Sequence, residues 1–101
     1  MIQLTAHAKN RIKQRCGIRK GAERIAGIAF EKGLTIDDLS GNLKHYVMYL
    51  YTYNYQANNI RLYGDKIYVF CNDVLVTVLD TPRKYLSIVK KDMKRRNDGQ
   101  G

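Results

Sequence analysis

Apolar residues recur at helical spacing twice before residue 34. In the stretch LTAHAKNRIKQRC, residues 4–16, Leu4, Ala8 and Ile12 fall on one stripe while Lys9 and Lys13 point away. The pattern predicts a helix N-capped by Thr5 and closed by Gly17, with Ile18 after it suiting a Schellman ending. Residues 20–32 predict a second helix, with Ile25, Ala26, Ala29 and Phe30 at helical spacing and Gly33 at its end. The small residues Ala22, Ala26, Gly27 and Ala29 let another element approach it closely. Thr35-Ile36-Asp37-Asp38 has the form of a capping box with aspartate in the acidic slot and predicts one short turn, after which Ser40-Gly41-Asn42 breaks the pattern.

Residues 43–55 fit two periods. As a helix, Leu43, Tyr46, Val47 and Leu50 share a face; as a strand, Tyr49, Tyr51, Tyr53 and Tyr55 alternate onto one side. Aromatic and β-branched content favours the strand. Length and the Gly-Asn signal before it favour a helix to about Tyr53, the reading adopted here. Three strands follow at Ile60–Tyr63, Lys66–Cys71 and Val74–Leu79, joined by the two-residue turns Gly64-Asp65 and Asn72-Asp73. They form an antiparallel meander whose last two, most apolar strands sit centrally. Pro82 ends the sheet, residues 83–96 predict a basic helix with Tyr85, Leu86, Ile88 and Val89 on its apolar side, and residues 97–101 an unordered tail. The predicted fold is α+β: N-terminal helices packed on a small antiparallel sheet of three to four strands, with a basic C-terminal helix or tail.

A chain of 101 residues holds one hydrophobic core, here placed within residues 1–96. No apolar run approaches the roughly 20 residues of a membrane span. The opening MIQLTAHAKNRIKQR lacks the apolar stretch of a signal peptide, so a cytoplasmic location is expected. Cys16 and Cys71 are too few for a disulfide framework or a zinc site, and two histidines without clustered acids argue against any metal or other cofactor. Charge changes the picture more. Eighteen bases against nine acids give a net +9. Residues 1–34 carry eight bases and two acids, residues 35–81 three and five, and residues 82–101 seven and two. Two basic ends flank a slightly acidic middle, which suits a polyanionic partner, nucleic acid first and an acidic protein second.

Candidate chemistry lies on the first helix. His7, Arg11 and Arg15 stand four residues apart, on one line beside the Leu4–Ala8–Ile12 stripe. They therefore belong at the edge of the core, facing whatever the helix packs on. Cleavage of RNA without a metal needs a group to move the 2′-hydroxyl proton and fixed positive charge on the phosphorane. Histidine titrates in the right range, and arginine grips phosphate bidentately. The simpler alternative is a solvated basic face with an incidental histidine. On the first meander strand Asn59, Arg61 and Tyr63 share a face opposite Ile60 and Leu62, where they could hold phosphate and stack a base, or simply meet solvent. Thr77 interrupts an apolar strand, and its hydroxyl needs a partner, the helix arginines or backbone. Lys44 and His45 are weaker nucleic-acid candidates, and the tyrosines from Tyr46 to Tyr55 are either a stacking platform or core.

The run His7-Ala8-Lys9-Asn10-Arg11-Ile12-Lys13-Gln14-Arg15-Cys16-Gly17-Ile18 resembles the HAxxRxxxRxGI opening of small, little-characterised proteins of Gram-positive bacteria and their phages. Residues 58–70, NNIRLYGDKIYVF, resemble their hairpin, and Leu75-Val76-Thr77-Val78-Leu79 their closing strand. The layout is similar to the barnase/EndoU/colicin/RelE-like fold, a group of metal-independent ribonucleases and toxin domains. The resemblance implies His7 as acid or base, Arg11, Arg15 and Arg61 as phosphate ligands, and Thr77 as a hydroxyl lining the site. A toxin-like ribonuclease or RNA-binding domain is thus the expected function, with RNA as the favoured partner and an antitoxin as a protein partner. The alternative is a non-catalytic phage accessory protein that binds nucleic acid or inhibits a host defence enzyme.

Overall fold

The structure is a computed structural model that describes residues 2–18, 20–53 and 57–100, with backbone alone at 99 and 100. In chain order the elements are β1 (Gln3–Leu4), α1 (Ala6–Cys16), α2 (Ala22–Lys32), α3 (Gly41–Tyr53), β2 (Asn59–Tyr63), β3 (Lys66–Cys71), β4 (Val74–Asp80) and α4 (Leu86–Gln100). Short 3₁₀ turns occupy Ile36–Asp38 and Arg83–Tyr85. This is the expected α+β class, with one correction. The sheet order is β1-β4-β3-β2, and β1 runs parallel to β4 through Gln3↔Val74 and Leu4↔Leu75, so the sheet is mixed and not purely antiparallel. Two residues are too few to show a strand period, which is why Leu4 read as the first residue of the helix.

Local chemistry accounts for most element boundaries. The Thr5 hydroxyl accepts the Ala8 N–H at 3.0 Å and starts α1, and Gly17 ends it at φ 69°. The meander turns at Gly64 and Asn72, both at positive φ. The Thr35–Asp38 capping box forms as predicted. Residues 43–53 are helical because Leu43, Val47 and Leu50 bury on one face, whereas Met48, Tyr49 and Tyr53 are exposed. Tyr55, the fourth residue of the strand alternative, lies outside the described residues. At the C-terminus the helix continues past Arg96 to Gln100, where an unordered tail was expected, and Gly101 lies outside the described residues. Its hold on the fold is polar as well as apolar. Fully buried Asp92 accepts the backbone N–H of Ser40 at 3.0 Å and its hydroxyl at 2.7 Å, tying α4 to the start of α3.

The sheet separates two apolar clusters. Ile60, Leu62, Ile67 and Val69 pack with Leu43, Val47 and Leu50 of α3 and Val89 of α4. Tyr68, Phe70, Leu75 and Val78 pack with Ala8 and Ile12 of α1 and Ala26 and Ala29 of α2. Strict alternation would send Leu75 and Val78 to opposite faces, yet both face α1 and α2. A β-bulge absorbs the extra residue: Val69 pairs with Thr77 but its neighbour Phe70 pairs with Leu75.

Gly33 ends α2 in extended backbone, φ −64°, so its role is steric. A Cβ there would lie 2.5 Å from the Ala29 carbonyl oxygen and 2.9 Å from the Arg61 Cβ, because Leu34 immediately pairs with Leu62. Gly27, inside α2, has open space around a built Cβ. Opposite signs are therefore expected in urea denaturation: Gly33→Ala destabilises by about 1–3 kcal/mol, and Gly27→Ala stabilises by up to about 1 kcal/mol.

Candidate functional site

α1 lies along the outer edge of β4. Its N-terminus docks there through backbone: the Thr5 N–H donates to the Leu75 carbonyl at 3.2 Å, and the Thr5 hydroxyl to the Val76 carbonyl at 3.3 Å. With Ala8 and Ile12 buried, the line through His7, Arg11 and Arg15 runs beside the strand, as the spacing predicted. His7 Nε2 lies 3.1 Å from Thr77 Oγ1, a contact spanning 70 residues of sequence. Arg11 Nε donates to the same His7 Nε2 at 3.4 Å. A guanidinium has no lone pair to offer, so Nε2 is the acceptor and the ring proton sits on Nδ1. The neutral imidazole is the form that can take a proton. His7 is exposed and Arg11 half-buried, so a ligand can reach both.

One turn further on, Arg15 is engaged. Its Nη1 lies 2.6 Å from Asp80 Oδ2, and the other carboxylate oxygen lies 2.9 Å from Lys66 Nζ. The hydrogen bond from Lys66, seconded by that from Arg15, holds the Asp80 carboxyl below the usual aspartate range, and the same contact raises Lys66. Neither Lys66 nor Asp80 was picked out from sequence. An unbulged hairpin turning at Asn72-Asp73 would pair Lys66 with Leu79; the bulge shifts the register by one and sets Lys66 opposite Asp80.

Of the remaining sequence candidates Tyr63 lines a cleft with Arg15, and the others do not join this row. Arg61 belongs to β2, at the opposite edge of the sheet. Its guanidinium donates to the Gly33 carbonyl at 3.0 and 2.7 Å and to the Glu31 carbonyl at 3.4 Å. Arg96 adds bonds to Gly33 at 3.2 Å and Lys32 at 2.8 Å, so two arginines cap the carbonyl end of α2. Burial, then the neighbouring Arg96 charge, lowers the Arg61 pKa. Arg61 and His7 thus lie at opposite edges of the sheet, and the face that Arg61 shares with Asn59 and Tyr63 is turned toward α2. Asn59 and Tyr63 are half-buried, and Tyr63 packs against the α1–α2 cluster. Lys44 is half-buried and His45 exposed on α3, across the sheet from α1. Tyr49 and Tyr53 stack in the open with centroids 6.1 Å apart, also on α3.

Among the described residues no three His, Cys, Asp or Glu side chains group as metal ligands, and no helix is long and apolar enough to cross a membrane. No family model, curated protein or solved structure matches the chain.

The Asp80 bridge has a pH signature. A carboxyl depressed in the folded state contributes stability above the ordinary carboxylate range and loses it as pH falls through the folded value. Followed by NMR, the Asp80 carboxyl carbon is expected to titrate below the usual aspartate range in the native chain, and nearer to it in Lys66→Met.

Proposed function

We propose that the chain is a ribonuclease domain of the metal-independent type, acting on RNA at the α1–β4 edge. The observation that carries this reading is the meeting of His7 Nε2, the Thr77 hydroxyl and the Arg11 guanidinium at one exposed place. In this scheme the Thr77 hydroxyl and Arg11 Nε give up the Nε2 lone pair to a ribose 2′-hydroxyl, and Nε2 takes its proton. The 2′-oxygen attacks the adjacent phosphorus and the 5′-oxygen leaves, which yields a 2′,3′-cyclic phosphate and a 5′-hydroxyl. The terminal N–H groups of Arg11 hold the non-bridging oxygens, whose charge grows in the phosphorane. The leaving oxygen takes its proton from solvent, since the row carries a single imidazole. The net charge of +9 supplies the attraction to a polyanion.

A second reading is a nucleic-acid-binding or inhibitory accessory domain that does not cleave. It is favoured by the pairing of Arg15 with Asp80, which leaves Arg11 as the arginine of the row in contact with His7. End-labelled RNA incubated with purified protein in EDTA separates the two. Wild type is expected to leave cyclic-phosphate ends, with the rate falling by about 10²–10⁴ in His7→Ala and about 10²–10³ in Arg11→Ala. Intact RNA in every lane overturns the ribonuclease. Retarded but uncut RNA, released steeply by salt, establishes the binding module in its place.

A further inference from the structure

The row of α1 leads past Arg11 into a cleft. Arg15 and Ile18 at the end of α1, Ile25 of α2, and Tyr63, Lys66 and Tyr68 of the β2–β3 hairpin line about 360 Å³. That size lies near the lower end of small-ligand sites, roughly 300–1,000 Å³. The lining combines apolar side chains, two phenol rings, two cations and the carboxylate of Asp65.

Two features give the cleft a chemical preference. First, Arg15 and Lys66 are bridged by one carboxylate, an oxygen on each cation at 2.6 and 2.9 Å. A phosphate can make the same two contacts with two of its oxygens. The Asp80 side chain is 56% exposed, so a rotamer change can carry its carboxylate into water, which releases Arg15 and leaves Lys66 with Asp65 alone, at 3.3 Å. Second, Tyr68 is 2% exposed, yet the contact of its hydroxyl is a weak one to Cys16 Sγ at 3.8 Å. Burial pushes this phenol above its usual range, and its hydroxyl is either donor or acceptor toward Cys16. Tyr63, half-buried on the same wall, presents an aromatic surface.

We propose that this cleft is a nucleotide subsite: a base lies against Tyr63 with an acceptor at the Tyr68 hydroxyl, and its phosphate replaces Asp80 between Arg15 and Lys66. Asp80 is then a built-in competitor that holds the two cations together while the subsite is empty. That the bound nucleotide adjoins a scissile bond rests on the ribonuclease reading above; nucleotide binding itself does not.

The test is an NMR titration of the full chain with uridine 5′-monophosphate, adenosine 5′-monophosphate and inorganic phosphate in parallel. At least one nucleotide is expected to shift the amides of Tyr63, Lys66 and Tyr68. Asp80→Asn should tighten it on the order of ten-fold by removing the competing anion. Tyr68→Phe keeps the packing and should weaken the nucleotide while leaving inorganic phosphate unchanged. Lys91→Ala, exposed on α4 and outside the cleft, should bind as wild type does. Weaker or unaltered binding in a folded Asp80→Asn overturns the proposal. So do shifts that fall outside the cleft, or inorganic phosphate binding as tightly as both nucleotides. The two readings fail separately. Uncut RNA with nucleotide bound in the cleft sinks the ribonuclease alone, and His7-dependent cleavage without nucleotide binding sinks the subsite alone.

Discussion

Between Ile67 and Phe70 neither face of β3 meets water. Ile67, Tyr68, Val69 and Phe70 are all buried, two against each helical layer. A strand apolar on both sides must lie inside a sheet covered on both sides. That constraint places α1 and α2 on one face and α3 and α4 on the other, and it moves the exposed edges outward to β2 and to β4 with its two-residue neighbour β1. The edge of β2 is closed: Leu34 exchanges two backbone hydrogen bonds with Leu62, and the Tyr51 hydroxyl accepts the Ile60 N–H at 2.7 Å. The other edge is closed differently. β1 pairs with only two residues of β4, and beyond them α1 runs beside the strand with its polar line facing Thr77 and Asp80. The candidate site occupies the stretch of β4 edge that β1 leaves uncovered.

The bulge between β3 and β4 determines what stands on that edge. It brings Leu75 and Val78 together against α1, as the core requires, and inserts one residue between them relative to a regular strand. Every β4 residue after the bulge is thereby shifted by one against β3. Lys66 meets Asp80 for this reason, and Asp80 in turn receives Arg15. One packing irregularity thus builds the ion bridge, with the His7–Thr77 contact two turns of α1 away.

The helices and the meander were legible because local chemistry marks them: Thr5 and Gly17 around α1, Asn72-Asp73 and Gly64-Asp65 between strands, and the Leu43–Val47–Leu50 stripe that decided α3. The line of His7, Arg11 and Arg15 was legible for the same reason, since helical spacing alone places it beside a buried stripe. What stayed hidden is non-local. A two-residue parallel strand has no period. A bulge leaves no mark in VLVTVLD, residues 74–80, so Lys66 and Asp80 could not be matched from sequence. The surroundings of Arg61 stayed hidden because its sequence neighbours fix only its face, and what covers that face comes from α2, about 30 residues earlier.

The basic excess also divides once its partners are known. Read along the chain, the two basic ends form one attraction for polyanions. In the fold, Arg61 and Arg96 cap the carbonyl end of α2, and Arg95 reaches the Asp38 carbonyl at 2.8 Å and the Asp92 carboxylate at 3.3 Å. These forked groups are bonded to backbone carbonyls and, for Arg95, to a buried carboxylate. Lys90, Lys91 and Lys94 remain exposed on α4, as Lys9 and Lys13 do on α1. Exposed ammonium groups attract a polyanion over about a Debye length and impose little geometry. Orientation needs a guanidinium fork without a carboxylate partner beside a group of defined chemistry, and on the α1–β4 edge Arg11 beside His7 meets that condition. In the proposed function the lysines at both ends therefore account for attraction, and the α1 edge for specificity of chemistry.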